Sequence, residues 1–326
     1  MLKYFYNNPN GVIEETDSIN SSSWIHIVSP TQKEIEFIQK ETNIPENFIR
    51  AALDQDETAR YDVDGDSILY IVDTPEMDRE TNTIETFPFA LIQNKNKLLT
   101  VSMGRHKVLE NFFNAKQKNL DITKITKTIY QIMLSNVSFF MSHLRLIDKM
   151  SDSIQENFSA NSMHNGDILK LLDIQKTLVY FSASLTANNA LVQKITGINA
   201  KRTNTTEDEM EILDDISIEN RQALEMCQIY RDINKNSMDA YDALIANKQN
   251  NAMRLLTILN ALIVIPTWIA GLMGMNVRLP MGNDFDAEPY AFWIYTAIGV
   301  VLSFLSILPF MLIKNKIKRT GTNHKR

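Results

Sequence analysis

Two long stretches without a charged residue lie close together near the C-terminus. Residues 255–277 and 289–313 contain no Asp, Glu, Lys or Arg, over 23 and 25 consecutive positions. A helix rises about 1.5 Å per residue, so about 20 apolar residues cross the roughly 30 Å hydrocarbon core of a bilayer. We therefore expect two membrane-spanning helices, which excludes a simple cytosolic enzyme.

The residues around these stretches predict their orientation. Aromatic residues stand at the entry of the second stretch, and Lys314, Lys316, Lys318 and Arg319 follow its exit, as is typical of membrane interfaces. By the positive-inside rule both termini face the cytoplasm and the loop 277–288 lies outside. Residues 1–250 carry 25 basic and 36 acidic residues, a balance that argues against nucleic acid as a partner and is compatible with cations.

Local patterns divide the cytoplasmic part into an α/β domain and a helical part. Apolar runs at 24–28, 67–73, 87–93 and 97–102 predict strands. Ser29 as N-cap, Pro30 in the first turn and Gln32 as capping-box partner predict a helix over about 30–41. The expected segments are an α/β domain at 1–120, a helical hairpin at 121–205, a stalk helix at 206–252, a first span at 253–276, a loop at 277–288, a second span at 289–313 and a basic tail at 314–326.

One very long helix is predicted after the hairpin. Thr206 and Glu209 form a capping-box pair, and no Pro occurs between them and Pro266. A continuous helix over about 207–274 would be on the order of 100 Å long and would continue from the cytosol into the first span. A stripe in steps of three and four favours packing against copies of itself, with packing only on its own domain as the alternative. Its members are Met210, Leu213, Ser217, Asn220, Leu224, Cys227, Arg231, Asn234, Met238, Tyr241 and Ile245.

Two motifs mark the first span. It ends in Gly274-Met275-Asn276, and an Asn-x-x-Met-Arg-x-Leu-Thr pattern begins at Asn250. Together with the two spans, the acidic loop and the basic tail, these motifs resemble the CorA-type divalent-cation transporters. The resemblance implies an α+β membrane protein that forms a funnel-shaped homo-oligomer, a pentamer, in the cell membrane. It also implies uptake of hydrated Mg²⁺, with Co²⁺ and Ni²⁺ as further candidate ions, and no organic cofactor.

Neutral oxygens and apolar side chains alternate along the first span. The resemblance implies that the pore is lined by Asn250, Met253, Leu256, Val264, Thr267, Gly271, Gly274, Met275 and Asn276. The 3.5-residue spacing adds Asn260, which would alternatively hydrogen-bond across a subunit interface. Mg²⁺ dehydrates reluctantly, so amide and hydroxyl oxygens would accept hydrogen bonds from its water shell, and apolar rings would close the pore by dewetting. Gly274 and Asn276 also fit a plain helix C-cap.

Regulation by cytosolic Mg²⁺ is implied by the same resemblance. Members of the family join an acid of the α/β domain to a stalk acid of a neighbouring subunit. The α/β acid aligns with Ala51, which has no ligand atoms, so acids nearby are the substitutes. The candidate ligands are Asp54, Asp56, Glu57, Asp215 and Asp239, for which a solvated surface is the alternative.

The expected energy source is the membrane potential, and the favoured ion is Mg²⁺. No phosphate-binding glycine loop occurs, and a divalent ion gains about 4.6 kcal/mol per 100 mV of membrane potential, which suffices for uptake. Zinc transporters of the same superfamily usually carry Ile at the position of Met275, so Met275 favours magnesium. The alternatives are such a zinc transporter and a non-conducting, membrane-anchored coiled-coil scaffold or metal sensor.

Overall fold

The computed structural model describes residues 1–8, 12–77, 83–114, 121–159, 165–202 and 205–274, and after these residues 293–294, 296–302 and 305. The chain divides into two compact units, Met1–Met238 and Asp239–Arg326. The described residues do not include Met275, Asn276, the loop 277–288, most of the second predicted span or the basic tail.

The first unit is built on a seven-stranded sheet. Its strands are β1 Leu2–Asn7, β2 Ile13–Thr16, β3 Trp24–Val28, β4 Arg60–Asp64, β5 Ser67–Met77, β6 Ile84–Asn94 and β7 Lys97–Ser102. They lie in the order β2-β1-β3-β7-β6-β5-β4. The neighbours β3 and β7 are parallel, and the other neighbouring strands are antiparallel.

Helices cover both faces of the sheet. Successive side chains of a strand point to opposite faces, so one buried strand contributes to two cores. The helices are α1 Gln32–Thr42, α2 Glu46–Ala51, α3 Lys107–Asn114, α4 Ile125–Ser159, α5 Asn165–Asn199 and α6 Glu207–Met273. On β3, Ile25 joins a core with α1 and α2. Its neighbour Trp24 faces the other way and joins the larger core, which includes residues of α3, α4, α5 and α6.

The four predicted strands and the helix after β3 are present, with corrections to their limits. Strands β3 and β7 coincide with the predicted runs, whereas β5 and β6 are longer. Helix α1 begins after Thr31, which forms the capping box with Glu34, and not after Ser29. Ser29 adopts a positive φ of 46°, and its hydroxyl donates to the carbonyl of Met103, so it belongs to the turn before the helix. The predicted capping box of α6 is confirmed, because Thr206 and Glu209 bond reciprocally at 3.1 and 3.3 Å.

Helices α4, α5 and the first part of α6 form a three-helix bundle. Contacts between Lys127 and Asp208 (2.8 Å) and between Gln155 and Ser237 (3.2 Å) show that α4 and α6 run parallel. Helix α5 runs antiparallel to both and fills the seam of α6, where Leu213, Asn220, Cys227 and Asn234 are buried. The prediction that this stripe packs against copies of the chain is therefore wrong for these four residues, for which the alternative, packing on its own domain, is correct. Arg231 of the same stripe is exposed.

Candidate ion pathway

The C-terminal part of α6 is the candidate pathway. Among the described residues, α6 is the one helix long and apolar enough to cross a membrane. Apolar candidate pore residues are exposed in the single chain, with Val264 at 60%. Residues on other faces are exposed to the same degree, with Trp268 at 63%. Exposure therefore does not distinguish the candidate pore face from the other faces of α6. Its Asn and Thr side chains do.

Two threonine hydroxyls on this face already donate hydrogen bonds to main-chain carbonyls of α6. Thr267 donates from Oγ1 to the carbonyl of Ile263 at 2.7 Å, and Thr257 donates to that of Met253 at 2.9 Å. A hydroxyl has one hydrogen and two lone pairs, so these oxygens can only accept hydrogen bonds from a further partner. The water shell of a cation directs hydrogens outward, and such acceptors are complementary to it. Asn250 and Asn260 are also exposed.

The C-terminal end of α6 is built from residues that weaken a regular helix. Pro266 has no N–H to donate to the preceding turn. A Cβ added at Gly271 would meet no atom within 4 Å, so the backbone there is open to its surroundings. The N–H of Gly274 donates to the carbonyl of Ala270 at 3.0 Å. Gly274 therefore follows the last helical residue, as the C-cap alternative predicts.

One glycine of the second predicted span packs on this part of α6. Residues 296–302 are helical, and Gly299 is buried. A Cβ added at Gly299 would lie 3.0 Å from Cδ1 of Ile269 and 3.9 Å from Cα of Pro266. A small residue at this position permits the close approach of the two segments.

The sequence match extends over nearly the whole chain. Residues 20–319 match the family described as "CorA-like Mg2+ transporter protein". The chain belongs to the CorA family. The cobalt/magnesium transport protein CorA of Methanocaldococcus jannaschii is 26% identical over 297 residues, which are 88% of this chain and 89% of that protein. CorA-family proteins are transporters rather than enzymes, and this chain accordingly is a transporter.

Solved structures show that the fold is shared. The complete structure of the CorA magnesium transporter from Methanocaldococcus jannaschii aligns with a TM-score of 0.78 at 22% identity, over 95% of this chain and 97% of that chain. The structure of the full-length CmaX protein aligns with a TM-score of 0.72 at 14% identity, over 94% and 97%. The CorA fold, with an N-terminal α/β domain and a long helix, is therefore the fold of this chain.

The candidate regulatory acids of the CorA-like α/β domain lie in the turn after α2. Asp54 accepts a hydrogen bond from the N–H of Asp56 at 3.0 Å. Glu57 forms an ion pair of 3.1 Å with Arg60. The position of the aligned residue, Ala51, is buried in α2. The acids at 54 and 56 are exposed, whereas Glu57 is already neutralised by a cation.

Two of these acids open onto a cavity of about 310 Å³, which is also lined by Asp73 and Glu85. Burial raises the pKa of Asp73 to about 6, and Glu85 is paired with Lys176 at 2.8 Å. Asp73 was not among the predicted site residues, although a carboxylate that closes the apolar run 67–73 is an unusual feature that marks it. In the structure it lies within β5.

The acids do not form a metal site within one chain. Among the described residues, no group of three or more metal-ligating side chains is arranged to hold an ion. Asp215 is exposed on α6, and Asp239 is exposed in the second unit. A metal-binding role for Asp54, Asp56, Glu57, Asp215 and Asp239 stays a prediction.

Proposed function

We propose that the chain forms a homo-oligomeric channel in the cell membrane that admits hydrated Mg²⁺ into the cytosol. The observation that carries the proposal is the face of neutral oxygens and apolar side chains on the apolar part of α6, in a chain that matches the CorA family over residues 20–319. The relative from Methanocaldococcus jannaschii is a cobalt/magnesium transport protein, which supports Co²⁺ as a second substrate.

In the proposed channel, copies of α6 surround the pathway, five in a pentamer. The ion keeps its water shell, because the first span offers no carboxylate to replace the waters. The signature residues Gly274, Met275 and Asn276 form the outer entrance, where the Asn276 amide oxygens accept hydrogen bonds from the hydrated ion. Gly271 and Gly274 leave room for the shell. Oxygen rings continue inward at Thr267, Asn260 and Asn250.

Apolar rings provide the gate. Val264, Leu256 and Met253 are exposed in the single chain, and in an oligomer they would face the pathway. Rings of such side chains exclude water when they approach each other, and a pore without water does not conduct a hydrated ion. The membrane potential drives entry, at about 4.6 kcal/mol per 100 mV for a divalent ion. Both termini and the acidic first unit lie in the cytoplasm, and residues 289–313 form the second span.

Regulation by cytosolic Mg²⁺ belongs to the same proposal. Asp215 and the acids at 54 and 56 are exposed, so they are accessible to a neighbouring subunit. Since one chain does not assemble the ligands, we assign the regulatory site to the interface between subunits. Asp215→Asn should then leave uptake intact and reduce its inhibition by cytosolic Mg²⁺, which Mg²⁺ titration of the inner compartment of liposomes measures.

Uptake by cells that depend on added Mg²⁺ tests the function. Asn276→Ala should abolish uptake while membrane insertion and oligomer size stay unchanged, because the amide oxygen at the entrance is lost. Asn251→Ala removes an exposed amide from α6 outside the polar face and should transport normally. Normal uptake by Asn276→Ala would overturn the assignment. Competition of Mg²⁺ with Zn²⁺ in liposomes separates a magnesium channel from a zinc transporter, and absence of flux for every ion would favour the non-conducting scaffold.

A further inference from the structure

Three buried side chains of α6 bond to main-chain carbonyls of α5 at a regular spacing. Asn220 donates from Nδ2 to the carbonyl of Leu185 at 3.0 Å. Cys227 donates from Sγ to the carbonyl of Leu178 at 3.2 Å. Both members of the pair move by seven residues between the two contacts, in opposite directions along the chain. This is the relation expected of two antiparallel helices whose seam repeats every seven residues.

The third contact continues the series by another seven residues. Asn234 donates from Nδ2 to the carbonyl of Leu171 at 3.2 Å and to Oε1 of Gln175 at 3.0 Å. The three donors, Asn220, Cys227 and Asn234, are each at most 1% exposed. We call these three contacts the polar seam. Burial raises the pKa of Cys227 to about 11, so its sulfur keeps the hydrogen that the contact requires.

We propose that the polar seam locks α6 to α5 in a single register, so that the part of α6 up to Met238 does not slide along the bundle when the channel opens or closes. A shift by one helical turn would move each donor about 5 Å from its carbonyl. Main-chain carbonyls recur at every turn of α5, so after such a shift each donor would come near the carbonyl of another turn. The register is selected instead by side-chain partners: Asn234 would lose Oε1 of Gln175 as its second acceptor.

Contacts between α4 and α6 hold the same register. Ser138 donates to Glu219 at 3.3 Å, between the contacts at Asp208 and Ser237. Polar groups at buried seam positions are known to fix the register of packed helices at some cost in stability. When the proposed channel opens or closes, α6 up to Met238 would therefore move together with α4 and α5 of its own subunit and not along them. This statement rests on the proposed function, whereas the lock itself does not.

The single cysteine of the sequence makes the lock measurable without a transport assay. In the purified full-length protein, a soluble maleimide should label Cys227 equally slowly with Mg²⁺ and with a chelator, within about two-fold, since the seam stays closed. Ile229→Cys in a Cys227→Ser background places a thiol at a position that is 55% exposed. This thiol should react about 100-fold faster or more. A rate at Cys227 that rises severalfold on removal of Mg²⁺ would overturn the lock.

A covalent link tests whether channel activity tolerates a fixed register. Gln175→Cys with Asn234→Cys in the Cys227→Ser background replaces the contact at Asn234 with a disulfide. Mg²⁺ uptake and its response to Mg²⁺ should be the same before and after reduction of the disulfide. Activity that appears only after reduction would show that α6 slides along α5. If the unmodified protein itself conducts no ion, the proposed function fails, and the labelling experiment still decides the lock.

Discussion

The side-chain amide of Asn188 makes two hydrogen bonds to the main chain of Asp73. Its Oδ1 accepts from the N–H of Asp73 at 3.1 Å, and its Nδ2 donates to the carbonyl of Asp73 at 3.0 Å. Pairing of β4 with β5 ends at Ile71, so Asn188 serves the strand edge where a neighbouring strand would otherwise continue. Asn136 donates to the same carbonyl at 2.7 Å. Helices α4 and α5 are thereby fastened to the edge of the sheet by amides.

Asn188→Ala should destabilise the first unit by about 2–4 kcal/mol, because it leaves buried main-chain groups of Asp73 with fewer partners. The neighbouring substitution Asn189→Ala controls for the higher helix propensity of alanine and should have a small effect. Chemical unfolding of the purified full-length protein measures both. Equal stabilities of the two variants would contradict the role assigned to Asn188.

Asp73 itself is a source of instability that depends on pH. Its pKa rises from 3.8 to about 6 because burial disfavours the charged carboxylate. Well below pH 3.8 the carboxyl is protonated in both states and has no cost. The cost grows between pH 3.8 and about 6 and is fully present above that pH. Asp73→Asn should therefore stabilise the protein by about 1–3 kcal/mol at pH 8, with a gain that shrinks towards pH 5.

Thermal unfolding of the Asp73→Asn variant and the unmodified protein at a series of pH values measures this gain. The comparison isolates Asp73, because the buried His26 and His106, whose pKa values burial lowers to about 3 and 4, titrate in both proteins. A gain that is the same at pH 5 and pH 8 would show that Asp73 is charged throughout.

Strands with a continuous apolar run could be predicted from the sequence, whereas a strand without such a run could not. Strands β3 and β7 were predictable, since each is an apolar run buried on both faces. The edge strand β4 was not, because its solvent-facing residues give no apolar run. The spacing of the stripe identified the seam of α6 correctly but not its partner. The acceptors are main-chain carbonyls, such as that of Leu178, which every residue possesses.

The candidate pathway stays a prediction. Its residues follow from the motifs that carry the family resemblance and, for Asn260, from the helical period. The acids at 54, 56 and 57 were proposed from their position in the chain, and one chain alone does not join them to Asp215. Contacts between subunits depend on surfaces that no local pattern encodes.

The contact of Gly299 with α6 predicts a strong effect of side-chain size. Gly299→Leu should reduce the yield of folded protein severalfold, because its Cβ alone would already lie 3.0 Å from Cδ1 of Ile269. Ala297→Leu introduces the same side chain at an exposed position of the same segment and should be tolerated. Size-exclusion chromatography of detergent extracts compares the two. Normal assembly of Gly299→Leu would mean that the two segments do not pack at this glycine.

Thr267 offers a test of the hydrated-ion pathway that leaves the shape of the helix unchanged. Thr267→Val is nearly isosteric and removes the oxygen, whereas Thr267→Ser keeps an oxygen that can still donate to the carbonyl of Ile263. If the oxygen accepts hydrogen bonds from the water shell of the passing ion, Mg²⁺ uptake should fall severalfold in the valine variant. Uptake in the serine variant should stay near that of the unmodified protein. Flux into liposomes at equal protein density measures both variants, and size-exclusion chromatography checks that the oligomer is intact. Equal flux through the valine and serine variants would place Thr267 away from the ion, since the two side chains differ in the acceptor that the pathway requires.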